Sequence, residues 1–251
     1  IHFENYELTH SLSLIALCLI IFSGGIETDL KDIKENLNRG IVLSSLGILL
    51  TTGIVGGFVH IILKIGLMES LLLGAILSAT DAAAVFSILR GKKLALRTNL
   101  RPTLELESGS NDPMAYVLTV AFLSLVVNQD KSIYSIIPFF LMQMSIGAVA
   151  GFLFGKLSKL VINKIKLDFE GLYPVLVIAL MFITFSTTDA LGGNGFLAIY
   201  ICAVYLGNSN LIHKKTILRM FDGLAWLMQI VLFLTLGLLV FPTQIVPYMG
   251  I

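Results

Sequence analysis

Basic side chains are missing from every long apolar run of this chain. Charge of either sign is scarce as well, at 13% of its 251 residues. A soluble domain carries about 25%, so an ordinary water-facing globular surface is excluded. A net charge of +1 and the lack of a dense basic block point away from a nucleic-acid partner. Cysteine is rare: Cys18 and Cys202 both lie inside apolar runs and read as small buried hydrophobes rather than a disulfide. The single tryptophan, Trp226, reads as packing. Nothing calls for a prosthetic group or a resident metal, and no cofactor is expected. The chain opens on Ile1, with no basic stretch before the first apolar run. No signal peptide is read, and the sequence is expected to be one domain, 1–251, incomplete at both ends.

What is present is apolar: 56% hydrophobic residues and a mean hydropathy of +0.91. Those values indicate an integral membrane protein. Spans need roughly 20 mostly apolar residues, and eight runs qualify: 11–28, 41–63, 70–89, 103–127, 134–155, 172–189, 192–208 and 220–240. They are too long for barrel strands and do not alternate in hydropathy. The expected fold class is an all-α polytopic membrane protein with about eight transmembrane helices. Of the 17 Lys and Arg residues, only Lys64 and Lys131 fall in one set of alternate loops; the other fifteen fall in the opposite set. Basic loops face the cytoplasm, so both ends of the sequence are expected on the non-cytoplasmic side of a cell membrane. The basic residues are all assigned to loops.

Several acids are not. Asp81 lies within SATDAAAV, 78–85, roughly 17 Å into its span, and Asp112 lies roughly 15 Å into the next. A bare ionisable group at that depth costs several kcal/mol and marks a functional position by default. Glu107 and Asn111 are four residues apart and share a helix face, as do Ser108 and Asp112. The first pair places an amide to brace a carboxylate. The second places a hydroxyl oxygen beside a carboxylate, half of a site for a hard cation. Pro113 deprives the Gly109 carbonyl of its helical donor, and Gly109 is permissive, so this helix is expected to loosen easily. Thr80 and Asp81 are good N-cap residues, so the span at 70–89 is expected to break near Thr80. Asp29, Asp189 and Asp222 read as capping or solvated groups near span ends, and His60 and His213 are given no chemistry.

A carboxylate that meets water from either side is neutral when it binds a proton or a cation. If it cannot cross the barrier charged, each crossing carries one or the other. That is exchange. Two readings of other classes compete. A channel or efflux pathway on the same fold lacks support from any carbonyl-ring filter motif. An intramembrane aspartyl protease needs two carboxylates sharing a proton, and Thr80 and Asn111 as immediate neighbours suit ion ligation better.

Four stretches then carry a family resemblance: SATDAAAVFSILRGKKL at 78–94, LELESGSNDPMAYVLT at 104–119, GGNGFLAIYICAVYLGN at 192–208 and FDGLAWLMQIVLFLTLGLLVFP at 221–242. The chain resembles the monovalent cation:proton antiporters of the sodium/hydrogen exchanger superfamily, most of all their bacterial potassium/proton branch. The resemblance implies a larger inverted-repeat fold with a discontinuous crossing helix, and an ion-binding core that rocks against a dimerising scaffold in a homodimer. It implies K⁺ or Na⁺ exchanged for H⁺ at Asp112, in the inner membrane, with Asn111, Ser108, Thr80 and Asp81 at the site. Glu107, Gly109 and Pro113 would support that site. Asn111 marks members similar to the electroneutral exchangers. Glu107 is expected to pair with an Arg on a later helix, and no Arg follows Arg219. Ser23 stands where many relatives carry an acid.

Overall fold

The computed structural model describes residues 5–31, 38–40, 42–80, 100–128 and 133–239. Those residues contain no strand, as the missing hydropathy alternation requires. Helix α1 runs Tyr6–Glu27, with the Asn5 side chain accepting from Leu8 N at 3.0 Å as its N-cap. Helix α2, Ile48–Leu63, follows a π-helical turn at Leu43–Gly47 and stops at Lys64, whose φ of 53° is left-handed. Helix α3 is only Leu67–Ile76, and α4 runs Leu100–Val127. Helices α5, Ile136–Lys164, α6, Leu172–Ala190, α7, Gly195–Gly207, and α8, Lys214–Leu239, complete the described chain.

Among the described residues, six helical stretches are long and apolar enough to cross a membrane. The other two expected spans are represented by α3, with 10 residues, and α7, with 13. At 1.5 Å per residue these reach about 15 and 20 Å, short of a ~30 Å core. Helix α3 ends where the break near Thr80 was expected: residues 77–80 are non-helical, and Ser78 Oγ donates to Ala75 O at 2.7 Å. The second half of that span, Asp81 included, lies outside the described residues. Helix α5 departs from expectation in the other direction. It continues past 155, so Lys156, Lys159 and Lys164 lie on a helix rather than in a loop; Lys214, Lys215 and Arg219 likewise begin α8. A 29-residue helix spans about 43 Å, so its last turns pass beyond the hydrocarbon and its lysines extend over aromatic faces. Lys156 Nζ is 4.4 Å from the Phe152 ring centroid, and Lys159 Nζ is 5.9 Å from that of Tyr205.

Two apolar clusters organise the helices. Ile48 of α2, Ala75 of α3, and Ala115, Leu118, Phe122 and Leu125 of α4 form one. The larger one joins α1, α6, α7 and α8, with Ile162 of α5. Inside lipid there is no hydrophobic drive to bring helices together, so close packing of small residues does that work. Gly147, Gly151 and Gly155 form a stripe on α5 against α7: a Cβ on Gly151 would fall 2.5 Å from Ala198 O. Outward faces stay apolar, with Phe58 of α2 and Phe233 of α8 exposed. This is a multi-pass membrane protein.

Candidate functional site

The break after α3 exposes peptide groups that a helix would have consumed, and α4 uses them. Ser108 Oγ donates to the Thr80 carbonyl oxygen at 3.1 Å. Thr80 Oγ1 in turn donates to Glu107, at 2.9 Å to Oε1 and 3.2 Å to Oε2. Asn111 Nδ2 donates to Glu107 Oε1 at 2.9 Å and also to Thr80 Oγ1. Glu107 is therefore engaged by an amide one turn ahead on its own helix and by a hydroxyl from a non-helical segment. These contacts fix the end of α3 against the middle of α4.

Asn111 is fully buried. Its two donor hydrogens are directed to Glu107 and Thr80, and among the described residues its Oδ1 meets no donor. Asp112 is the next residue, partly buried, and lies about 18 Å along α4 from Leu100. Ser108 and Asp112 share a face, but the Ser108 hydroxyl hydrogen points to Thr80 O; the unspent carbonyl after the α3 break is its acceptor. The structure thus brings Thr80, Glu107, Ser108 and Asn111 together, with Asp112 on the same turn of α4. Asp81 is outside the described residues.

The loosening expected at Gly109–Pro113 does not occur: α4 passes through Pro113 without interruption. A proline removes one helical donor, and packing on both sides keeps the helix whole. Ala115 and Leu118 are buried in the α2–α3–α4 cluster. On the other side, Asn194 Nδ2 donates to Pro113 O at 2.9 Å. Gly109 serves a close approach rather than a bend: a Cβ there would lie 2.5 Å from Tyr200 Cε2 and 2.8 Å from Cζ. The supporting roles of Asn194 and Tyr200 were not read from the sequence. The signal for Asn194 is a polar residue in the run GGNGF, between two apolar helices.

Several other polar residues have partners of their own. Asp29 Oδ1 accepts from Lys31 N at 2.8 Å, and His60 Nδ1 lies 2.7 Å from Ile65 O. Ser23 is buried in α1. Beyond the bilayer, Glu170 accepts from the Thr216 hydroxyl and lies 3.3 Å from His213 Nδ1. The Thr216 hydrogen bond, then His213 and Arg219, hold the Glu170 carboxyl below its ordinary value.

The sequence profile described as "Sodium/hydrogen exchanger, transmembrane" matches residues 1–250. A relative named K(+)/H(+) antiporter NhaP, from Alkalimonas amylolytica, is 38% identical over 249 residues, covering 99% of this chain and 43% of its own length. K(+)/H(+) antiporter NhaP2 from Shewanella sp. (strain ANA-3) is 37% identical over 97% of this chain and 42% of its own. The chain therefore spans less than half the length of these two relatives. The sodium proton antiporter MjNhaP1 from Methanocaldococcus jannaschii, solved at pH 8, aligns with a TM-score of 0.81. That alignment has 22% identity and covers 95% of this chain and 59% of the other; it shows a shared all-helical fold.

Proposed function

The chain belongs to the sodium/hydrogen exchanger family, and from that premise we propose that the full-length protein is a secondary antiporter exchanging K⁺ or Na⁺ for H⁺. Asp112 holds the proton and the cation alternately. One observation supports this assignment: Thr80, beyond the end of α3, meets Glu107, Ser108 and Asn111 on the stretch of α4 that carries Asp112, the residue to which the family resemblance assigns the carrier role. Oxygen atoms suited to a hard monovalent ion cluster around that turn, in Ser108, the Thr80 peptide and Asn111 Oδ1. Asp81, adjacent to Thr80 in sequence, completes the set. Glu107, Gly109 and Pro113 support it.

Each transit neutralises Asp112 once, by a proton or by a cation. The bare carboxylate does not cross, because its desolvation is uncompensated in the closed site. Exchange follows from that exclusion and needs no cofactor. The protein works in the inner membrane as a homodimer, with residues 1–251 forming part of its transmembrane domain and both ends of this segment on the non-cytoplasmic side. It sets cytoplasmic pH and cation content.

The test is proton movement in everted vesicles containing the full-length protein and a pH-sensitive dye, with K⁺, Na⁺ and Li⁺ added separately. Cation-triggered proton release that disappears in Asp112→Ala is expected. Cation current without proton coupling would instead assign a channel, and exchange that survives Asp112→Ala would remove the carrier role.

A further inference from the structure

Asn194 is 1% exposed and lies between two helices that belong to different apolar clusters. Its side chain has both its polar atoms engaged. Oδ1 accepts from Leu197 N at 3.0 Å, capping α7, while Nδ2 donates to Pro113 O at 2.9 Å. Pro113 follows Asp112 directly, so the peptide that Asn194 grips, between Pro113 and Met114, begins one residue past the proposed carrier.

Depth is consistent from both ends. Helix α7 has 13 residues, which puts Asn194 about 20 Å from its Gly207 end. Pro113 is also about 20 Å along α4 from Leu100. A shorter α7 is therefore what brings an N-cap residue to the carrier's level instead of to the membrane surface.

Asn194 is itself over-determined. Its backbone N donates to Gln143 O at 3.0 Å, and its carbonyl oxygen would lie 2.7 Å from a Cβ on Gly147 of α5. The loop before it turns at Gly192, whose φ is +77°, a conformation that favours glycine. A side chain anchored this firmly transmits the position of α5 and α7 to whatever it holds. N-capping needs only the acceptor oxygen, and serine or threonine supplies one. The amide donor is additional, and it reaches across to α4.

We propose that Asn194 is a positioning residue for exchange: its amide holds the Pro113 carbonyl and so sets the Asp112 carboxylate in its cation-binding orientation. This rests on Asp112 as the carrier. The donor is a neutral group acting through a backbone carbonyl, so its loss is felt as weaker cation capture and not as loss of the carrier.

The experiment compares Asn194→Ser with wild type in vesicles containing the full-length transporter, reading exchange rate against K⁺ and Na⁺ concentration at fixed pH. Serine retains the cap but is too short to reach Pro113. The half-saturating cation concentration is expected to rise roughly two- to tenfold, the size of one net hydrogen bond. The maximal rate per inserted transporter should stay within about twofold. Asn194→Thr, which also retains the cap, should show the same split and stands in if the serine variant is poorly inserted. Unchanged half-saturation in both variants, or a fall in maximal rate alone, would overturn the proposal by leaving Asn194 as a cap only. An Asp112→Ala arm separates the two readings: exchange surviving in it overturns the carrier assignment and this inference with it. Loss of exchange there, with Asn194 variants like wild type, overturns this inference alone.

Discussion

Asn111 Nδ2 donates to Glu107 Oε1 at 2.9 Å, one turn apart on α4, and the same carboxylate accepts from Thr80 beyond the end of α3. The bond is local on one side and long-range on the other. A single amide thereby joins a continuous helix to a broken one, inside the bilayer, where an unmet polar group has no water to turn to.

Replacing Asn111 by Ala leaves Glu107 with one donor fewer in a partly buried setting. The expected cost is about 1–3 kcal/mol, read as a lower melting temperature of the full-length protein in detergent. Ser108→Ala removes one neutral hydrogen bond to a peptide oxygen, and its cost should be nearer 1 kcal/mol. Equal melting of the two variants would mean that the Glu107 network carries no more than a hydroxyl contact.

Gly109→Ala tests the α4–α7 approach. The new methyl would fall 2.5 Å from Tyr200 Cε2 and 2.9 Å from its oxygen, so either the ring moves or the helices part. Overpacking of this kind costs typically about 1–3 kcal/mol. Tyr200→Leu in the same chain withdraws the ring and should recover part of that loss in a thermal melt. Additive losses would show that the two residues do not meet.

The sequence reveals what the solvent demands and conceals what one helix demands of another. Long apolar runs announce α1, α2, α4, α5, α6 and α8, because lipid tolerates nothing else over that length. The four-residue spacing of Glu107 and Asn111 is enough to place amide against carboxylate, since the helix itself supplies the geometry. Ser108 follows the same spacing toward Asp112, yet its hydrogen goes to Thr80 O, an acceptor that exists only because α3 stops early. The loosening foreseen at Pro113 fails for a similar reason. Its carbonyl is gripped by Asn194, 81 residues away, and no local pattern encodes that contact. In the sequence the far end of α5 resembles a loop because lysines end an apolar run, although long flexible stems let them stay on a helix that has left the hydrocarbon.

The glycine stripe of α5 predicts a graded response. A Cβ on Gly151 would meet Ala198 O at 2.5 Å and Ala198 Cα at 2.9 Å, which are backbone atoms that cannot rotate away, whereas one on Gly57 of α2 meets nothing within 4 Å. Gly151→Ala is expected to lower the melting temperature by forcing α5 from α7. Gly57→Ala should be neutral or raise it, as alanine is favoured over glycine within a helix by about 0.5–1 kcal/mol. Reversal of that order would put the α5–α7 crossing elsewhere.

Glu170 supplies a prediction about pH with a definite sign. It lies outside the bilayer, between α5 and α6. The Thr216 hydroxyl, then the charges of His213 and Arg219, depress its carboxyl below the ordinary 4.5. A carboxyl depressed in the folded state adds stability above its unfolded value and loses it as pH falls through the folded one. Its window therefore lies below 4.5, on the acid side of neutral pH. Glu170→Gln in the full-length transporter should leave the pH profile of exchange unchanged between about pH 6 and pH 8. In wild type, amide protection of the 165–171 loop should fall as the pH drops through that window, because protonation weakens the carboxylate's hold on Thr216 and His213. In the glutamine variant it should be pH-independent, which hydrogen-exchange mass spectrometry can read. A displaced profile near neutral pH in this variant would instead place Glu170 on the proton's route, and the loop contact would then be a functional group rather than a fastening between α6 and α8.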